Sequence, residues 1–257
     1  MYKNIRAACV SHIGKVRKNN EDNFFFDGQY LPADNTGTHG VLECRSAYPG
    51  RSDRGLFYAV FDGMGGAEHG EIASYKCAEQ TQKFFSDWDN CNDKDITRFL
   101  EKLCSALNTA VFGAKNDLRA YQMGSTIASV YLTAGQVWTC NVGDSKCYWY
   151  CRNGHRLRQM SADHTDEHSL SDKPMLTQYL GIDPQELSIE PSITYFEPEE
   201  GDRILLCSDG LTDMLSEENI NKMIGTKSPS DAVKELLNCA LEAGGHDNIT
   251  ILLVEIV

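Results

Sequence analysis

"FYAVFDGMGG", residues 57–66, reads as an apolar strand that ends at Asp62 and gives way to glycines. Asp-Gly by itself signals a turn, because both residues suit tight backbone reversals. What separates a turn from a site is where the chain's other acids fall relative to its strands. Strands are predicted over 5–12, 23–27, 56–61, 125–133, 136–143, 146–151, 155–160, 192–196, 203–207 and 248–256, which are rich in Val, Ile, Phe, Tyr and Thr and bounded by Gly, Asn and Asp. Asn153-Gly154 adds a two-residue hairpin signal.

Helices are predicted over 70–88 and 95–120, the latter with Ile96, Phe99, Leu100, Leu103, Leu107, Val111 and Ala114 on one stripe. A second pair begins at Ser216, with two acids in its first turn, and at Ser228-Pro229, the last helix running over 229–243 to Gly244-Gly245. Strand runs followed by helix pairs, twice over, predict an α+β architecture with antiparallel sheet inside and helices outside. No repeat, low-complexity tract or linker divides the chain, so 1–257 is expected to be a single domain.

Asp62 follows strand 56–61, Asp144 follows 136–143 and Asp209 comes just after 203–207, while Glu21 and Asp22 precede 23–27 and Asp247 precedes 248–256. In an antiparallel sheet the end of one strand lies beside the start of its neighbour. Pairing of 23–27 with 56–61 therefore brings Asp22 and Asp62 to one edge, and the same rule can carry Asp144, Asp209 and Asp247 there. Asp27-Gly28 and Gly201-Asp202 fall at the opposite strand ends and read as plain turns. Carboxylates crowded at one edge resist ionising unless a cation sits among them, and all-oxygen donors select Mg²⁺ or Mn²⁺. Gly63 would let a backbone carbonyl approach such a metal, and Gly65-Gly66 would make the tight turn toward helix 70–88. Two such ions roughly 3.5–4 Å apart are a device for hydrolysis. Arg17, four residues before Glu21, offers a fork for two phosphate oxygens.

Composition narrows the class. A formal charge of −13, from 24 basic and 37 acidic side chains, argues against a nucleic-acid binder. No apolar run is long enough to span a bilayer, and the N-terminal stretch lacks a signal-peptide core. The ten cysteines show no CxxC pair, so reduced thiols in a cytoplasmic protein are expected.

The motifs "RKNNEDN" (17–23), "FDGMGG" (61–66), "GST" (124–126), "NVGDSK" (141–146), "ADH" (162–164), "LLCSDGL" (205–211) and "GHDNIT" (245–250) occur in one order along the chain. Together they resemble the metal-dependent serine/threonine protein phosphatases of the PPM, or protein phosphatase 2C, family, in the bacterial-type form. The resemblance implies an α-β-β-α sandwich with a dinuclear Mg²⁺ or Mn²⁺ site at one edge. It implies that Asp62 bridges both ions, Gly63 gives its carbonyl to the second, and Asp209 and Asp247 complete the first. Glu21 would act through bound water, Asp22 would orient metal waters, Arg17 would hold the substrate phosphate, and Asp144 with Asp209 would form a third, weaker site. The implied reaction is in-line attack of a metal-bridging hydroxide on phosphoserine or phosphothreonine of a protein, by a monomer opposing a serine/threonine kinase. A catalytically inactive scaffold usually lacks a metal-ligand acid, and none is missing here; a hydrolase of small phosphate esters is the third reading.

Three departures stand out. Met64 occupies the position where many eukaryotic members carry a histidine, leaving His164 and His246 as conceivable proton donors. The flap, the segment thought to select substrates, is shortened (about 164–192), with "LTQYLG" (176–181) following quickly after Asp163-His164 and carrying Gln178 for arginine; Lys146 likewise replaces arginine. Residues 28–54 form a long link between two strands at the end opposite the metals, expected to be disorder or a small added hairpin, with a partner or regulatory contact as the alternative.

Overall fold

The computed structural model describes residues 4–50, 54–64, 69–87, 95–166 and 174–257. In chain order the elements are β1 (Asn4–His12), β2 (Asp22–Phe25), β3 (Leu42–Ala47), β4 (Leu56–Met64), α1 (Gly70–Asp87), α2 (Ile96–Leu118), β5 (Gly124–Ser125), β6 (Ile127–Thr133), β7 (Gln136–Val142), β8 (Lys146–Cys151), β9 (Arg156–Gln159), β10 (Ser192–Phe196), β11 (Arg203–Cys207), α3 (Asp209–Thr212), α4 (Glu217–Ile224), α5 (Pro229–Glu242) and β12 (Ile249–Ile256). One sheet has the order β3-β1-β12-β11-β8-β9 and the other β10-β7-β6-β4-β2, with β5 paired to β4. Neighbouring strands are antiparallel throughout.

Strand periodicity builds the layers, since alternate side chains leave opposite faces. On β12, Leu252, Val254 and Ile256 point between the sheets, where they meet Phe24, Tyr58, Val60 and Val130. Its alternate residues Ile249, Ile251 and Leu253 pack under α4 and α5, against Ile220, Val233 and Leu236. Phe57, Ala59 and Phe61 of β4 face outward instead, onto Ala73 and Cys77 of α1 and Leu103 and Leu107 of α2. The result is the four-layer α-β-β-α sandwich. Side-chain caps start the helices as predicted: Ser216 accepts from Asn219 N–H and Ser228 from Asp231 N–H.

Several local expectations are corrected. The Asn153-Gly154 turn is part of a four-residue loop, because Cys151 pairs with Arg156 and the left-handed residue is His155 (φ 48°). The 28–54 link holds a sixth strand of the first sheet, β3, laid along β1 from Leu42 opposite Cys9 to Ala47 opposite Asn4. The outer backbone groups of β1 would otherwise be an unpaired edge. To reach that start the loop returns toward the acid-bearing end, where Gly37 bridges His12 and Ile13 N–H bonds Thr36 O at 3.2 Å. It is therefore not confined to the opposite end. Asp27-Gly28 is a tight turn at the far end of β2, with φ 51° and 73°. Asp202 is likewise a turn acid, buried and accepting from Trp149 Nε1, Arg152 N and Glu199 N. Gly65 and Gly66 lie outside the described residues, as do Cys91 and parts of the 28–54 link and the shortened flap.

Candidate active site

The register of β2 on β4 sets the site. Asp22 stands directly opposite Asp62, with Asn23 opposite Phe61 and Phe24 opposite Val60. Asp62 is not at a strand end, however. β4 continues through Gly63 and Met64, which leave β6 and pair with Ser125 and Gly124 of β5. Thr126 sits at that break: its Oγ1 accepts from Asp62 N–H at 3.1 Å and its own N–H donates to Asp62 O at 2.8 Å. The acid is thus held in extended backbone where the sheet changes partner.

The second sheet face supplies the rest. Cys207 pairs with both Lys146 and Ile251, so β8, β11 and β12 reach this edge together. Asp209 opens α3 immediately beyond, and Asp247 precedes β12. Arg17 Nη2 meets Asp247 Oδ2 at 2.6 Å. Asp144 lines one cavity with Asp62 and Asp209, about 620 Å³ in volume. Gly63 is there because nothing larger fits: a Cβ on it would lie 2.0 Å from Gly70 O and 2.5 Å from Glu21 O. Gly70 is constrained in turn, since its Cβ would reach Glu21 Cδ at 2.7 Å and Gly63 O at 2.9 Å. Glu21's carboxylate and the Gly63 carbonyl therefore share one small space.

The electrostatics follow from crowding. Burial pushes the Asp62 carboxyl well above its usual range, and the charges of Asp209, Asp22, Asp144 and Asp247 push it further. Burial raises Asp22 to about 7, helped by Asp209 and Asp247 and opposed by the hydrogen bond from Ser208. Glu21 is raised by burial and by Glu71, against the pull of Arg17. Partial burial works against the Arg17 cation, but Asp247, Glu21 and Asp62 outweigh it and raise its pKa. These are groups that want a cation between them. Among the described residues no three His, Cys, Asp or Glu side chains already close on one point. The acids line one edge of the two sheets.

The histidines suggested as proton donors have other surroundings. His164 Nδ1 accepts from Gly143 N–H at 3.1 Å while its own N–H bonds Gly143 O, which makes it a turn-holding residue. His246 is exposed in the loop before Asp247. Neither lines the acid cavity.

A supporting network carries no role in the sequence reading. Asn248 accepts from Glu21 N–H at 2.8 Å and donates through Nδ2 to Ile13 O and Asn19 O, both at 2.9 Å. Ser208 Oγ donates to Asp22 Oδ2 at 2.7 Å and accepts from Thr250 N–H. Thr250 and Asn20 both bond Ser11 Oγ. Asn248 and Thr250 belong to "GHDNIT" and Ser208 to "LLCSDGL"; a buried amide and hydroxyls beside acids were the signal available.

The protein phosphatase 2C family profile matches residues 45–250. The chain belongs to the protein phosphatase 2C family. This family member is 30% identical to the serine/threonine phosphatase stp of Listeria welshimeri over 263 residues, covering 94% of this chain and 92% of that one. Its fold matches the crystal structure of the Mycobacterium tuberculosis serine/threonine phosphatase PstP/Ppp with a TM-score of 0.76 at 25% identity, covering 98% of this chain and 99% of that one. It matches the catalytic domain of PstP in complex with two manganese ions equally well, with a TM-score of 0.76, 27% identity and 99% of each chain covered. As a 2C-type protein the chain is an enzyme of the phosphatase class, and the shared fold is the two-sheet sandwich described above.

Proposed function

We propose that this protein hydrolyses phosphoserine and phosphothreonine esters on protein substrates at the acid-lined edge, with Mg²⁺ or Mn²⁺ as cofactor. The observation that carries the reading is the Asp22–Asp62 pairing across β2 and β4, with Asp144, Asp209 and Arg17–Asp247 gathered around it. The donor set fits hard divalent cations. It is carboxylate and carbonyl oxygen without imidazole or thiolate, and half-buried Asp62 feels the charges of four other acids. Asp62, Gly63 O, Asp209 and Asp247 would hold two ions, Glu21 would act through water, and Asp144 with Asp209 would hold a weaker third. When bound, the ions supply acidified water as nucleophile and neutralise phosphoryl charge.

The chain's own residues supply position. Arg17, half exposed beside Asp247, clamps two phosphoryl oxygens in its planar fork and fixes the ester for in-line displacement. Asp22, held by the hydrogen bond from Ser208 Oγ, would orient metal-bound water. Met64 stands where an imidazole would serve as acid, and among the described residues no histidine lines the cavity; the departing serine or threonine oxygen would take its proton from water. The physiological role proposed is reversal of serine/threonine kinase signalling, by a monomer in the cytoplasm. In support, the relatives are named bacterial serine/threonine phosphatases. Among the described residues nine cysteines are free thiols, as a reducing compartment keeps them, and no helix is long and apolar enough to cross a membrane.

The test is hydrolysis of a phosphothreonine peptide by purified protein with Mn²⁺, with Mg²⁺ and with EDTA, beside phosphotyrosine and small-ester substrates. Metal-dependent turnover favouring phosphothreonine is expected. Folded protein inactive with every metal would overturn the reading.

A further inference from the structure

The cavity that holds Asp62, Asp144 and Asp209 has two unlike walls. One is acidic. The other is built by Met64, Tyr121, Pro174, Met175, Leu176 and Tyr179. Two of these side chains stand well out of the protein: Tyr121 is 86% and Met175 71% exposed, the largest exposures among the large hydrophobic residues described. Single exposed apolar residues are ordinary. These two are not scattered, since they come from separate segments and border the same opening as the acids.

The wall is held by backbone rather than chance side-chain placement. Leu180 exchanges two backbone hydrogen bonds with Ser125, at 2.7 and 2.9 Å. Thr165 bridges Leu176, and Asp166 N–H donates to Met175 O at 2.9 Å. Asn108 of α2 locks the following turn, accepting from Gly181 and Ile182 N–H and donating to Ile182 O. Tyr121 leaves the end of α2 a few residues before β5. The stretch from Leu180 to Ile182, which follows Met175, Leu176 and Tyr179, is therefore tied to the strand of Asp62 through β5 pairing with Gly63 and Met64.

Resting on the phosphatase reading, we infer that Tyr121 and Met175 form a specificity site that takes an apolar side chain flanking the phosphorylated residue of the substrate. Phosphate bound at the acids leaves the neighbouring residues of the same peptide over this wall, in one continuous cavity. A thioether and an aromatic ring adapt to varied apolar shapes. The apolar wall carries no charged side chain to pair with an acidic neighbour, and a small polar one covers little of it. Partial burial of one Leu or Phe side chain is worth about a fivefold gain in kcat/KM.

The experiment compares phosphothreonine peptides of one sequence with Leu or Phe against Ser or Glu within two residues on either side, with p-nitrophenyl phosphate as a substrate lacking neighbours. Wild-type protein is expected to prefer the apolar-flanked peptides about fivefold in kcat/KM. In the Tyr121→Ser/Met175→Ser double variant that ratio is expected to fall toward one. Because the readout is a ratio within each protein, a general change in turnover cancels. Equal kcat/KM for all peptides with wild-type protein, or an unchanged ratio in the variant, overturns the inference while the phosphatase reading stands. Absence of turnover with every substrate, p-nitrophenyl phosphate included, overturns both.

Discussion

Asn248→Ala probes how the site is held without touching a candidate ligand. Asn248 is 4% exposed and makes three side-chain hydrogen bonds that tie the loops around Ile13, Asn19 and Glu21 to the start of β12. Each such bond contributes about 1 kcal/mol net, and a buried partner left unsatisfied costs about 1–3 kcal/mol. Asn19 is exposed, so its carbonyl regains water and that bond is largely replaced. Ile13 O and Glu21 N–H lie half buried and carry the loss, giving a destabilisation of about 2–3 kcal/mol. Urea unfolding in EDTA measures this free of any metal. The same variant should bind Mn²⁺ about 10–100-fold more weakly, the scale on which groups supporting metal ligands act, because Asp247 and Glu21 flank the lost anchor. A loss below about 0.5 kcal/mol with unchanged Mn²⁺ affinity would refute the reasoning, since it would mean the loops hold themselves.

Asp209→Asn should lower kcat about a hundredfold or more and weaken metal binding while leaving the circular dichroism spectrum intact; near-wild-type turnover would remove Asp209 from the site. Arg17→Ala should raise KM for phosphopeptides about 10–100-fold, the worth of a charged hydrogen bond, with a smaller effect on kcat; unchanged KM would return Arg17 to a surface role. The raised carboxyls also fix a pH dependence. Asp22 sits at about 7 in the fold against about 3.9 unfolded, so the folded state holds the proton longer and metal-free stability falls as pH rises between those values. At about 1.4 kcal/mol per pH unit the Asp22 contribution reaches about 4 kcal/mol. Urea unfolding in EDTA should therefore show lower stability at about pH 8 than at about pH 5.5, with saturating Mn²⁺ offsetting the difference; a flat profile in EDTA would contradict it.

Much of the sandwich was legible because its strands are buried on both faces or alternate strongly, as in Ile249–Ile256 and Leu56–Phe61. The edge rule sorted the acids, separating Asp22 and Asp62 from the turn residues Asp27 and Asp202, because antiparallel pairing fixes which strand ends meet. β3 escaped notice for a physical reason. "LECRSA" lies on the sheet edge with alternate residues exposed, so its pattern depends on pairing with β1 rather than on burial. The Thr126 break was hidden too, since a strand that changes partner at Asp62 looks in sequence like one that stops. Asn248 and Ser208 were visible as letters but not as anchors; their roles arise from loops more than 180 residues away in sequence.

β12 lies between β1 and β11, with residues 249–256 paired to 5–12 on one side and 203–207 on the other. Until this strand arrives the first sheet is two separate pieces, and Asp247 and Asn248, which lead into it, have nothing to hold them near Asp62. During synthesis, the acids of the earlier strands are thus made long before they can act in concert. Closure over so wide a separation is slow compared with local folding. The order of the strands works as a timer: a chain still emerging from the ribosome carries every earlier candidate ligand before the strand that joins the two pieces of the first sheet.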